Sequence, residues 1–206
     1  SLAVIYYLGA DAFLIDPDVM DLTAPQAIFV SIIMLAGGWI LYDFICKSPL
    51  GENTGLLALL VFLLTVGAAW AFSEVFSGRA AYLHAGALIG SIMVGNVFFI
   101  IIPNQKKVVA ALTAGETPDP KLGKQAKQRS THNNYLTLPV LLMMVSNHYP
   151  MTYGHKYSWA IFAVILVVGG LIRHYYNCKN AGNIGRFHNL LYPTAAALMI
   201  ALMIGV

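Results

Sequence analysis

Long apolar runs, broken by short clusters of proline, glycine and charge, dominate the chain. Their lengths match the roughly 20 residues that an α-helix needs to cross a hydrocarbon layer. The pattern predicts helices over about 23–46, 55–77, 79–103, 131–149, 156–177 and 188–206, after a partial one at 1–8. The expected fold class is all-α: a polytopic transmembrane helix bundle of roughly seven segments, six full and one partial. Residues 1–206 read as a single transmembrane domain. The chain starts at Ser1 inside an apolar run, so it is expected to be part of a longer chain with further N-terminal helices.

Composition sharpens this picture. Hydrophobic residues make up 58% of the chain and charged residues 10%, too little polar surface to cover a water-soluble domain of 206 residues. The lipid bilayer is the expected solvent. Lys106, Lys107, Lys121, Lys124, Lys127 and Arg129 gather in the one long polar stretch, so 103–130 is expected to be a basic loop on the cytoplasmic side. Alternation then puts the Asp-rich 9–22 connection outside, Lys47, Lys179 and Arg186 inside, and the C-terminus at Val206 on the periplasmic face of a bacterial inner membrane. Arg79 is the exception, at an outer helix end where Glu74 is a possible partner. The net charge of +3 is accounted for by topology and suggests no nucleic-acid partner. No Walker A loop, GxGxxG, HExxH or CxxCH motif occurs, which removes support for nucleotide hydrolysis, zinc proteolysis and attached c-type haem within this chain. Cys46 and Cys178 have no CxxC partner and read as inert.

Six histidines carry most of the candidate chemistry, because an ionisable side chain at membrane depth needs a partner. His84, His148 and His155 fall toward the outer face; His132, His174 and His188 fall toward the inner one. Along a helix the two levels lie about 24 to 28 Å apart, close to the hydrocarbon thickness. Two levels of histidine across a bilayer suit two redox centres. Haem b, with iron held by His84 and His148 and an inner site drawing on His174 and Arg173, is the cofactor this placement suggests. The small residues Gly86, Ala87, Gly90, Ser91 and Gly95 near His84 suit either a porphyrin face or close helix packing. His155 and His188 read as interfacial residues, and Arg173 serves equally for a propionate or a lipid phosphate.

RSTHNNYLTLP, residues 129–139, is the densest polar cluster. Arg129, His132, Asn133, Asn134 and Tyr135 supply charge, imidazole, amides and a phenol where a helix enters the membrane. Such a set suits a planar, polar, anionic ligand, although Ser130 or Thr131 as a helix cap explains part of it. On this reading His132, Asn133 and Asn134 are the catalytic candidates, His132 as general base, and Arg129 and Tyr135 bind substrate. At the outer end, Asn147 and His148 either orient a cofactor or close the turn at Pro150. Asp43 and Glu74 belong to a proton path or reach water.

The stretch YLHAGALIGSIMVGNVFFIIIPNQKKVVAALTAGETPDPKLGKQAKQRSTHNNYLTLPVLLMMVSNHYPMTYGH, residues 82–155, resembles the membrane-bound urate hydroxylases, the urate oxidase N-terminal domain family. The similarity extends over GADAFLIDPDVMDL and GGWILYDFICKSPLG and fades after about residue 177. It implies oxidation of urate to 5-hydroxyisourate by water, in purine degradation, with electrons passed to a periplasmic cytochrome c, often a domain that follows the membrane part. Two other classes stay open: a haem b electron-transfer subunit of a larger membrane complex, with no substrate chemistry, and a haem-free transporter or assembly subunit.

Overall fold

In the computed structural model, residues 2–185 and 187–205 are described, and the described residues contain helices and no strand. Arg186 and Val206, both used in the expected orientation, lie outside the described residues. Six long helices form the molecule: α1 (Ala24–Lys47), α2 (Thr54–Ser73), α3 (Gly78–Thr113), α4 (Pro120–Val145), α5 (Ser158–Asn180) and α6 (His188–Gly205). A π-helical turn at Leu2–Tyr7 and a short α-helical turn at Ala10–Phe13 precede them. Among the described residues, α1, α2, α3, α5 and α6 are long and apolar enough to cross a membrane, which makes this an integral membrane protein.

Local chemistry sets the boundaries. Thr23 and Gln26 form a capping box at the start of α1, with Pro25 in the first turn where its missing N–H costs nothing. Asn53 and Ser77 accept backbone N–H groups from Leu56 and Ala80 and so cap α2 and α3. Pro103, expected to end a helix, does not. A π-helical stretch over Asn96–Ile101 precedes it, and the Ile102 N–H reaches back five residues to the Val97 carbonyl. The wider turn lets the chain run on past the proline, which has no N–H to donate to Phe99. The stretch 103–130, read from sequence as a loop, is therefore helical at both ends, with a short turn at 114–119 where Gly115 takes a positive φ of 75°.

α3 is the central element and packs against α1, α2 and α4; α5 packs against both α2 and α4, and α6 rests on α5. Its Gly78–Gly95 half buries His84, Leu88, Ile89 and Ile92 completely. Small residues make this packing possible. A Cβ at Gly169 of α5 would come 2.8 Å from Pro139 Cδ of α4, so the glycine is the notch that receives the proline ring. Gly169→Leu is expected to force the two helices apart, lowering stability by about 1–3 kcal/mol; detergent unfolding followed by circular dichroism measures it. Phe29, Phe44, Leu59, Leu63, Phe98 and Phe99 stay exposed around the bundle, as a lipid-facing belt requires.

Candidate functional site

The cluster at 129–135 divides into two. Successive residues of an α-helix turn by about 100°, so neighbours in sequence leave the helix in different directions. Arg129, His132 and Asn133 face α1 and α3, whereas Asn134 and Tyr135 face α5.

The first network is buried. Asn96 donates through Nδ2 to the Tyr42 hydroxyl (2.9 Å) and to Asn133 Oδ1 (2.9 Å). Tyr42, which already accepts from Asn96, gives its proton to His132 Nδ1 at 2.7 Å, an assignment that satisfies each partner. On this tautomer the Nε2 of neutral His132 carries the hydrogen and is a donor. Asn133 Nδ2 donates to the Met93 carbonyl (3.0 Å), fixing α4 against α3. Arg129, 2% exposed, donates to Asp43 Oδ1 at 2.7 Å, reaches Asn96 Oδ1 at 3.4 Å and lies 4.9 Å from the centre of the Tyr42 ring. Asp43 also pairs with Lys47. Asp43, a proton-path candidate in the sequence, is thus the counter-ion of a buried arginine. Tyr42 and Asn96 were missed by the sequence reading. Asn96 had a legible signal, since it is a lone amide between Gly95 and the apolar run Val97–Ile102.

The second network borders open space. Asn134 Oδ1 accepts from Arg173 Nε (3.1 Å) and Asn177 Nδ2 (3.0 Å), and Arg173 also donates to the Asn134 carbonyl. The Nε of Arg173 is thus engaged within the protein. Both acceptor positions of the Asn134 oxygen are filled, which fixes the amide and leaves its N–H groups for a groove of about 450 Å³. Gln105, Lys127, Ser130, Thr131 and Asn177 line the same groove. Tyr135 bonds His174 Nδ1 at 2.7 Å, and His174 Nε2 lies 3.7 Å from Cys178 Sγ. Neither Arg129 nor Tyr135 lines the groove.

The outer histidines are arranged differently from expectation. His84 is fully buried: its Nδ1–H donates to the Ala80 carbonyl (2.7 Å), and its Nε2 accepts the Ser31 hydroxyl (2.7 Å), which in turn accepts from Tyr7 (2.7 Å). The rings of Phe76, Phe72 and Tyr6 enclose it at centroid distances of 4.8, 5.5 and 6.5 Å. An axial haem ligand needs a free nitrogen lone pair and a flat space beside it. Here both nitrogens are bonded, and Met143 fills the face at Gly86, 2.5 Å from where a Cβ would stand. Gly90, a turn further on, faces open space but leaves His84 just as enclosed. His84 therefore does not fit haem ligation in this arrangement; Gly86 and Gly95 serve close packing, against Met143 and Trp39. His148 is exposed in a 3-10 turn at Ser146–His148. Its neighbour Asn147 accepts from Arg79 Nε (3.2 Å), the bond that the sequence had offered to Glu74, and from Tyr6.

Together these features define an integral membrane protein with a buried polar network at one end of its bundle and an open polar groove alongside. Within that class the chain belongs to the urate oxidase N-terminal family, whose match covers residues 1–205. No curated protein and no solved structure matches it.

Proposed function

We propose that the chain hydroxylates urate, or a purine much like it, in the groove between α3, α4 and α5, facing the cytoplasm of a bacterium. The observation that carries this reading is the fixed Asn134 amide beside Lys127, Ser130 and Asn177 in a groove of about 450 Å³, large enough for a bicyclic ligand. Urate is planar, anionic and ringed by carbonyls and N–H groups. Lys127 offsets its charge, the Asn134 amide and Ser130 hydroxyl meet carbonyls, and Asn177 Oδ1 accepts a ring N–H. Water adds to the purine, two protons leave to solvent, and two electrons leave for two equivalents of a periplasmic c-type cytochrome, the proposed terminal acceptor, through a redox group that carries them across the bilayer. No step is assigned to a haem at His84, whose two ring nitrogens are both engaged within the protein.

The roles inside the 129–135 cluster shift accordingly. Arg129, His132 and Asn133 act as positioning residues that hold α4 to α1 and α3. Asn134 touches substrate. His132 donates rather than accepts, since Tyr42 occupies its lone pair.

Purified protein given urate and an oxidised c-type cytochrome is expected to consume the urate absorbance and reduce the cytochrome in proportion. Asn134→Ala should lower kcat/KM about ten-fold, the loss of one good hydrogen bond to a charged ligand. Lys127→Ala should raise KM with little change in kcat. Absence of urate consumption by folded wild-type protein, with or without spectral signs of haem, would overturn the assignment in favour of an electron-transfer or transport subunit.

A further inference from the structure

His174 and Cys178 are one turn apart on α5, and His188 opens α6. One ligand atom from each lies within 4.8 Å of the other two. The Cys178 Sγ to His174 Nε2 distance is 3.7 Å. In a tetrahedral site with metal–sulfur and metal–nitrogen bonds of about 2.3 and 2.1 Å, the two ligand atoms stand about 3.6 Å apart. The side chains are already at that spacing. The supporting contact is present as well: the Tyr135 hydroxyl lies 2.7 Å from His174 Nδ1 and can accept its N–H, the arrangement in which the Nε2 lone pair is free to face Cys178. His188 Nδ1 accepts the Gly185 N–H at 3.0 Å, and a metal would take the ring in exchange for that bond or after a turn about Cβ–Cγ.

We propose that His174, Cys178 and His188 bind one borderline-soft divalent metal ion, Zn(II) or a similar d-block ion, through two imidazoles and a thiolate. Three protein ligands leave the fourth position to solvent, and the exposure of His174 provides access to it. Thiolate and imidazole select against magnesium and calcium, which favour oxygen. The ion joins the end of α5 to the start of α6 and holds Tyr135, next to the groove residue Asn134. Cys178 and His188, inert and interfacial in the sequence reading, acquire a shared role. The inference stands apart from the purine reading, since it is tested without substrate.

The full chain in detergent micelles, freed of metal by a chelator, is titrated with Co(II). One equivalent is expected to bind, with the near-ultraviolet thiolate-to-cobalt charge-transfer band, and Zn(II) should bleach it. Cys178→Ser is expected to abolish the band, and His188→Ala to weaken binding at least ten-fold. Tyr135→Phe, which removes the acceptor at His174 Nδ1, should weaken it about ten-fold. Cys46→Ser should leave it unchanged. A band that survives Cys178→Ser, or no stoichiometric cobalt binding, overturns the proposal. Should a variant lose its helical signal, the wild type decides: saturating Zn(II) is expected to slow maleimide labelling of Cys178, and unchanged labelling overturns the site.

Discussion

Arg129→Ala should cost about 3–5 kcal/mol of stability, the largest effect expected of any single change in this bundle. The guanidinium is 2% exposed and holds the Asp43 carboxylate at 2.7 Å, so its removal strands a largely buried negative charge between α1 and α4. Lys47, whose side chain is 55% exposed, also pairs with Asp43 but reaches it from the surface, where a pair contributes little. The cation over the Tyr42 ring is lost in the same step. Unfolding in a denaturing detergent, followed by circular dichroism, measures the cost. Arg129→Lys should recover only part of it, because one ammonium cannot reach Asp43 and Asn96 and also cover the ring. Loss below about 1 kcal/mol would mean that Asp43 finds water when its partner is gone.

Tyr42→Phe comes second. Removing one oxygen leaves one N–H of the Asn96 amide and the His132 Nδ1 lone pair without their partner, at roughly 1–3 kcal/mol for each stranded group, so about 2–5 kcal/mol together. The ring itself stays, fully buried, and packing is unchanged. Tyr42→Phe combined with His132→Phe should cost less than the sum of the two single changes, as groups sharing one bond do. Urate turnover in Tyr42→Phe is expected to fall alongside stability, because Asn133 and Asn134 share a helical turn and the network that positions one presents the other. Equal stability of Tyr42→Phe and wild type would show that water replaces the hydroxyl.

The extent of the apolar helices was legible in the sequence because span length and hydrophobicity are summed properties. The predicted 23–46 segment is offset from α1 by one residue at each end, and the predicted 188–206 segment starts where α6 does, at His188. Pro103 misled because its local rule, no N–H to donate, is the same whether a helix stops or widens to a π turn; the choice lies in the apolar residues before it. The 129–135 cluster misled for another reason. Residue types reveal which groups exist, whereas helix rotation decides which share a face, and rotation is set by packing such as Pro139 in the notch of Gly169. Tyr7, Ser31 and His84 form a chain across three elements, which no spacing within one element encodes.

α4 is not among the five helices apolar enough to cross a membrane, although it packs within the same bundle. Its first half carries Lys121, Lys124, Lys127 and Arg129. On the purine reading, this cationic half belongs among headgroups and water, which puts Lys127 and Ser130 at the polar edge of the bilayer. A charged purine would then reach Asn134 from the headgroup side, and the gate to the site would be the lipid surface itself, without passage through oil.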